Sequence, residues 1–99
     1  MSDKPTIEIE YNFKGQVVAS ITGNPVTGIV NLHVQEEYRG MGLGEKILKE
    51  YIEKCREKGY KKVLLTCDQD NIPAVSLYKK LKFICIAMPD QTMVCCLNL

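Results

Sequence analysis

The apolar residues of this 99-residue chain first change period at a glycine-rich stretch, Arg39-Gly40-Met41-Gly42-Leu43-Gly44. Upstream, Ile7, Ile9, Tyr11 and Phe13 alternate with Thr6, Glu8, Glu10 and Asn12. That is the period of two of a half-buried strand. Lys14-Gly15 supplies a turn, residues 17–21 a second strand, and Gly23-Asn24-Pro25 a second turn signal. Residues 28–34 form a third strand, with Val30, Leu32 and Val34 on one face and Ile29, Asn31 and His33 on the other. Three strands joined by short turns predict an antiparallel meander. Downstream, Leu43, Ile47, Leu48, Tyr51, Ile52 and Cys55 fall at helical spacing between charged positions. Glu45 with Lys49 and Glu50 with Lys54 are favourable pairs four residues apart. Gly59 is placed to stop this helix, about 24 Å long, in a left-handed cap.

Residues 61–67 contain Val63-Leu64-Leu65, apolar on both faces, which predicts a central strand. Asn71 can cap a second helix, Pro73 is tolerated in its first turn, and Ala74, Leu77, Tyr78 and Leu81 make its inward stripe. Residues 83–88 and 92–99 predict a hairpin around Pro89-Asp90. The expected fold is α+β, three-layer-like: a mixed, mostly antiparallel sheet with two helices, in the order β-β-β-α-β-α-β-β. One minimal domain over residues 1–99 is all that 11.2 kDa allows.

Thirteen basic side chains face twelve acidic ones, so no general attraction to nucleic acid or anionic membrane is expected. No apolar run approaches the ~20 residues of a membrane helix, and Met1-Ser2-Asp3-Lys4-Pro5 is too polar for a signal peptide. Cysteines 55, 67, 85, 95 and 96 form no C-x-x-C pair, and His33 is the single histidine, so no metal is expected. An odd number of cysteines without a secretion signal reads as reduced thiols in a cytoplasmic protein.

The chemistry gathers where the third strand ends and the first helix begins. A helix start leaves backbone N–H groups unpaired and carries partial positive charge. Glycines remove the Cβ atoms that would hold an anion away. Together they make a phosphate cradle, although a tight strand-to-helix connection uses glycine too. No G-x-x-x-x-G-K-[ST] string is present, and neither Gly40-Met41-Gly42 nor Gly42-Leu43-Gly44 continues into G-x-G-x-x-G, so two nucleotide-binding motifs are excluded.

Arg39-x-x-Gly42-x-Gly44, with its lead-in Leu32-x-Val34, resembles the acyl-CoA pyrophosphate motif of the GNAT superfamily of N-acyltransferases. A second stretch, Asn71-x-x-Ala74-x-x-Leu77-Tyr78-x-Lys80-x-Lys82-Phe83, is similar to the family's N-x-x-A-x-x-L-Y-x-K-x-G-F segment. The resemblance implies acetyl-CoA as cosubstrate and an unidentified amine as acceptor, attacking directly in a ternary complex. It implies that the backbone of Arg39, Gly40, Met41, Gly42, Leu43 and Gly44 holds the pyrophosphate. Leu32, His33 and Val34 would pair with the pantetheine arm, and an amide near His33 or Val34 would face the thioester carbonyl. The third and fourth strands would splay to open the slot. Asn71 would reach the pantetheine, with Ala74 and Lys80 on the cofactor side. Tyr78 would be the general acid that protonates the departing thiolate.

The general base is not legible. His33 offers an imidazole, a residue type suited to base work, Asp68 follows the fourth strand, and ordered water is a third route. Cys67 has no paired base beside it and is not expected to form an acyl-enzyme. Lys79, Lys80 and Lys82 read as a solvated face able to approach the cofactor's phosphates. Two departures stand out. Lys82 replaces the family's glycine, at about 1 kcal/mol if it takes a left-handed cap. The meander begins by Thr6, so the family's N-terminal strand and two helices, which wall the acceptor pocket, are expected to be absent. A homodimer covering the bare face is the expected state. The alternative to an enzyme is a non-catalytic acyl-CoA-binding sensor or subunit.

Overall fold

The computed structural model describes residues 6–99. The polar start, residues 1–5, lies outside the described residues. The expected element order is observed: β1 (Ile7–Phe13), β2 (Gln16–Gly23), β3 (Val30–Val34), α1 (Leu43–Glu57), β4 (Lys62–Asp68), α2 (Ile72–Lys80), β5 (Ile84–Ala87) and β6 (Thr92–Asn98). A single 3-10 turn, Glu36–Tyr38, lies between β3 and α1.

The strands form two ladders in place of one mixed sheet. Each has three antiparallel strands, in the order β1-β2-β3 and β4-β6-β5. Between β3 and β4 the ladder is replaced by a tie from the loop before β3. Leu64 N donates to Pro25 O at 3.0 Å, Thr66 N donates to Gly28 O at 2.8 Å, and the Thr66 hydroxyl donates to the same oxygen. That loop is why β3 starts at Val30 and not at residue 28. Asn24 Oδ1 accepts from the Val26 and Thr27 amides and curls the chain out of the extended form. Gly28 closes the curl at φ +84°, where a Cβ would press on Thr66. The strand read as central, β4, is therefore the edge of its ladder, its free side partly covered by this loop.

The core lies between the ladders and α1. Ile47, Leu48, Tyr51, Ile52 and Cys55 bury one stripe of α1 against Ile7, Ala19, Ile21, Val63 and Leu65. Each such aliphatic side chain contributes about 1.5–3 kcal/mol by leaving water. The fit is close at Gly23, where an added Cβ would stand 2.5 Å from the Tyr51 hydroxyl. The stretch read as a turn signal thus also clears room for a ring. Helix α1 ends as expected, with Gly59 at φ +89° and Tyr60 N donating to Cys55 O. Glu45 pairs with Lys49 at 3.1 Å. Glu50 instead accepts from the Tyr11 hydroxyl, and no Glu50–Lys54 pair forms among the described residues. Helix α2 ends with Lys82 at φ +78°, so the lysine does adopt the left-handed conformation.

The outer faces of the two ladders differ. The first exposes Glu8, Glu10, Asn31 and His33, with the half-buried Ser20 and Thr22 between them in register. The second exposes Ile84 and Ile86, with Leu64, Val94 and Cys96 beside them.

Candidate functional site

From the tie at residues 25–28 the two ladders diverge toward the C-terminal ends of β3 and β4. The result is a slot of about 720 Å³ lined by both strands and by the first turns of α2. It brings together many of the residues singled out from the sequence. Leu32, His33, Val34, Arg39, Asn71, Ala74 and Tyr78 all line it. Gly40, Met41, Gly42, Leu43 and Gly44 do not. They sit at the start of α1, beyond Arg39, where Gly40 and Met41 are solvent-exposed.

That start is unusually open. Its first helical bond runs from Lys46 N to Gly42 O, and the backbone N–H groups of residues 40–45 have no partner among the described residues. None of the described side chains caps it. Gly40 and Gly42 hold φ near +80°, which a Cβ would strain, and nothing described lies within 4 Å of the space a Cβ would fill. Arg39 acts through its side chain in a way the sequence reading missed: Nε donates to Val34 O at 3.0 Å and pins the turn to the end of β3.

The same bond orients β3. Gln35 N donates to Val18 O on the β2 side, whereas Val34 O turns away to Arg39. Peptide groups alternate along an antiparallel strand. Val34 and Leu32 therefore aim their N–H groups into the slot, and His33 aims its own at β2. Of the two amides considered, the geometry selects Val34.

Tyr78 is buried on α2, tilted against Phe83 with ring centroids 5.9 Å apart. Burial, then the neighbouring thiols of Cys67, Cys95 and Cys85, push its phenol up to about 12. It is thus both a packed stripe residue and a slot-lining hydroxyl. Asn71 is partly committed: its Oδ1 caps α2 by accepting from Ala74 N at 3.3 Å, which leaves its amide nitrogen free to donate to a ligand. Lys80 is turned away from the slot, its Nζ 2.7 Å from Glu45 Oε1. Lys80 first, then Lys49, hold the Glu45 carboxyl below the usual carboxylate range. The bridge ties the end of α2 to the first turn of α1.

His33 and Asp68 are exposed slot-lining groups on facing strands. Cys67 also lines the slot, and burial pushes its thiol up, against nucleophilic use. Asn31, Thr66 and Thr92 complete the polar lining. Only the strand registers reveal them, because nothing local in the sequence marks these residues.

Fold and site define a class: α+β domains that splay a pair of strands around a slot and start a helix beside it on free backbone amides. Within that class, the chain belongs to the acetyltransferase (GNAT) family, whose model matches residues 3–83. The chain is 44% identical over 62 residues to a mycothiol acetyltransferase of Arthrobacter, covering 62% of this chain and 19% of that protein. It superposes on a GNAT family acetyltransferase of Elizabethkingia anophelis, solved with acetyl-CoA bound, at a TM-score of 0.77 and 18% identity. That match covers 96% of this chain and 77% of the other. The GNAT domain of a Streptomyces lividans protein, PAT, gives a TM-score of 0.84 at 14% identity, covering 97% and 62% of the two chains. The chain spans at most about a third of the length of the first curated relatives it matches, 34% and 19%. No helix among the described residues is long and apolar enough to cross a membrane.

Proposed function

We propose that this protein is an acetyl-CoA-dependent N-acetyltransferase that passes an acetyl group to an amine by direct attack. One observation carries the reading: free amides at residues 40–45 stand at the end of a slot that also holds the Tyr78 phenol. The residues fit the cosubstrate, because a Cβ-free helix start with unpaired donors suits a diphosphate. Acetyl-CoA supplies the thioester. The amides of residues 40–45 hold its pyrophosphate, and Arg39 keeps that turn against β3. The free edge of β3 pairs with the pantetheine arm through Leu32, as an added strand does. The Val34 N–H faces the thioester carbonyl and stabilises its developing negative charge. Tyr78 gives its proton to the departing sulfur. A phenol raised to about 12 is a weaker acid than free tyrosine but stays fully protonated near neutrality. His33 and Asp68 are the protein groups placed to receive the amine's proton, and water in the open slot serves the same end.

A second copy of the chain, in a homodimer, covers the apolar outer face of the second ladder, where Ile84 and Ile86 are 66% and 59% exposed. Sedimentation velocity at micromolar concentration tests this, since a clean 11 kDa monomer removes it.

Calorimetric titration with acetyl-CoA, followed by a thiol-release assay over a panel of amines and peptides, tests the main reading. Binding with turnover of at least one amine is expected. Binding without turnover supports the non-catalytic acyl-CoA-binding module instead, and absence of binding overturns both.

A further inference from the structure

Three thiols crowd Tyr78 and take no part in holding or moving an acetyl group. Cys67, Cys85 and Cys95 all neighbour its phenol from the inner side of the second ladder. Cys85 on β5 and Cys95 on β6 stand directly opposite each other in register. Cys95 is fully buried and Cys85 half-buried, and the Cys95 thiol donates to the Cys85 sulfur. Opposed residues of an antiparallel pair have Cα atoms about 4.5 or 5.5 Å apart. A disulfide spans about 4.4–6.8 Å. The ladder therefore holds this pair at bonding separation with no backbone movement. No other cysteine among the described residues is so placed. Cys55 is buried on α1, Cys67 has Met93 as its register partner, and Cys96 points to the opposite face from Cys95.

We propose that Cys85 and Cys95 are an oxidisable pair that forms a reversible cross-strand disulfide, closing the last hairpin beneath Tyr78. The oxidant is a small hydroperoxide, of which hydrogen peroxide is the simplest. Cys85, the more accessible of the two, loses its proton, and its thiolate attacks one peroxide oxygen. The O–O bond breaks and hydroxide leaves, taking up the released proton as water. Cys85 is left as a sulfenic acid. The Cys95 sulfur then attacks the Cys85 sulfur. The S–O bond breaks, and the hydroxyl leaves with the Cys95 proton as a second water. Two thiols are oxidised by two electrons, and one peroxide is reduced to two waters. Burial pushes the Cys95 thiol up, which disfavours its reacting first with the peroxide.

The cross-link matters mechanically because β5 is an edge strand paired, among the described residues, only with β6. Closing the hairpin removes the route by which that edge peels away.

Intact mass and peptide mapping of the whole chain, after hydrogen peroxide and again after dithiothreitol, test the proposal. The oxidised form is expected to lose about 2 Da, regained on reduction. Its melting temperature is expected to rise by about 10 °C. Cys96→Ser keeps both changes and assigns the bond to Cys95 and not its neighbour. Cys95→Ser and Cys85→Ser abolish both changes. Should Cys95→Ser fail to fold, Cys85→Ser at the half-buried position carries the same test. A bond to Cys67 or Cys96 overturns the proposal. So does oxidation of Cys85 to sulfinic acid, about 32 Da heavier, without a cross-link.

Discussion

The two helices of this protein begin in opposite ways. Helix α2 closes its own start: Asn71 caps Ala74 N, Ile72 N donates to Asp70 O, and Pro73 has no N–H to satisfy. Helix α1 starts with no cap and a row of amides free of partners among the described residues. Both starts flank one slot. A helix start left without internal partners must find them in water or in a ligand. In the proposed function, holding falls to α1, and stability and proton donation fall to α2.

Substitutions on each side separate these roles. Tyr78→Phe keeps the ring that packs on Phe83 and removes the donor. Turnover is expected to fall by about 10²–10⁴-fold with acetyl-CoA affinity held within a few-fold, read by steady-state kinetics beside calorimetry. Gly42→Val, at φ +80°, is expected to weaken acetyl-CoA binding by about 100-fold, since it strains the cradle backbone and puts a branched side chain where an anion belongs. Equal binding by this variant would erase the distinction between the two starts. Asn71→Ala is the matched change at the other start. It is expected to lower stability by about 1 kcal/mol in urea melts while leaving most of the affinity.

Two smaller effects sharpen the same picture. Lys82→Gly relieves the left-handed cap of α2 and is expected to stabilise the fold by about 1 kcal/mol, without altering turnover. The phenol of Tyr78 supplies a pH dependence. Its folded value, about 12, exceeds the unfolded value of 10, so the native state holds the proton longer. Its stabilising contribution is complete below pH 10 and lost as pH climbs toward 12. Denaturant melts in that window should show a steeper loss for the parent than for Tyr78→Phe.

Local signals carried most of the fold. The alternation at Ile7, Ile9 and Tyr11, the helical stripe from Leu43 to Cys55 and the glycine at position 59 each act over a few residues, so the sequence displays them directly. The gap between β3 and β4 rests on Pro25 and Gly28 meeting Leu64 and Thr66, some 38 residues apart, and no local pattern encodes such a meeting. The open start of α1 was legible because glycines and an arginine at fixed spacing build it within one turn. The polar slot wall of Asn31, Thr66 and Thr92 comes from three strands and surfaced only with the registers. Side-chain commitments were likewise invisible: Asn71 spends its oxygen on a cap, and Lys80 its charge on Glu45.

The bonds from Pro25 and Gly28 fasten the ladders at one end only. They work as the rivet of a pair of tongs. A joint at one end alone is expected to let the spread of the jaws change by rotation about it, with neither ladder rebuilt. Amide exchange should reveal the lever: slow at Leu64 and Thr66 by the rivet, fast at Leu32 and Val34 along the open jaw.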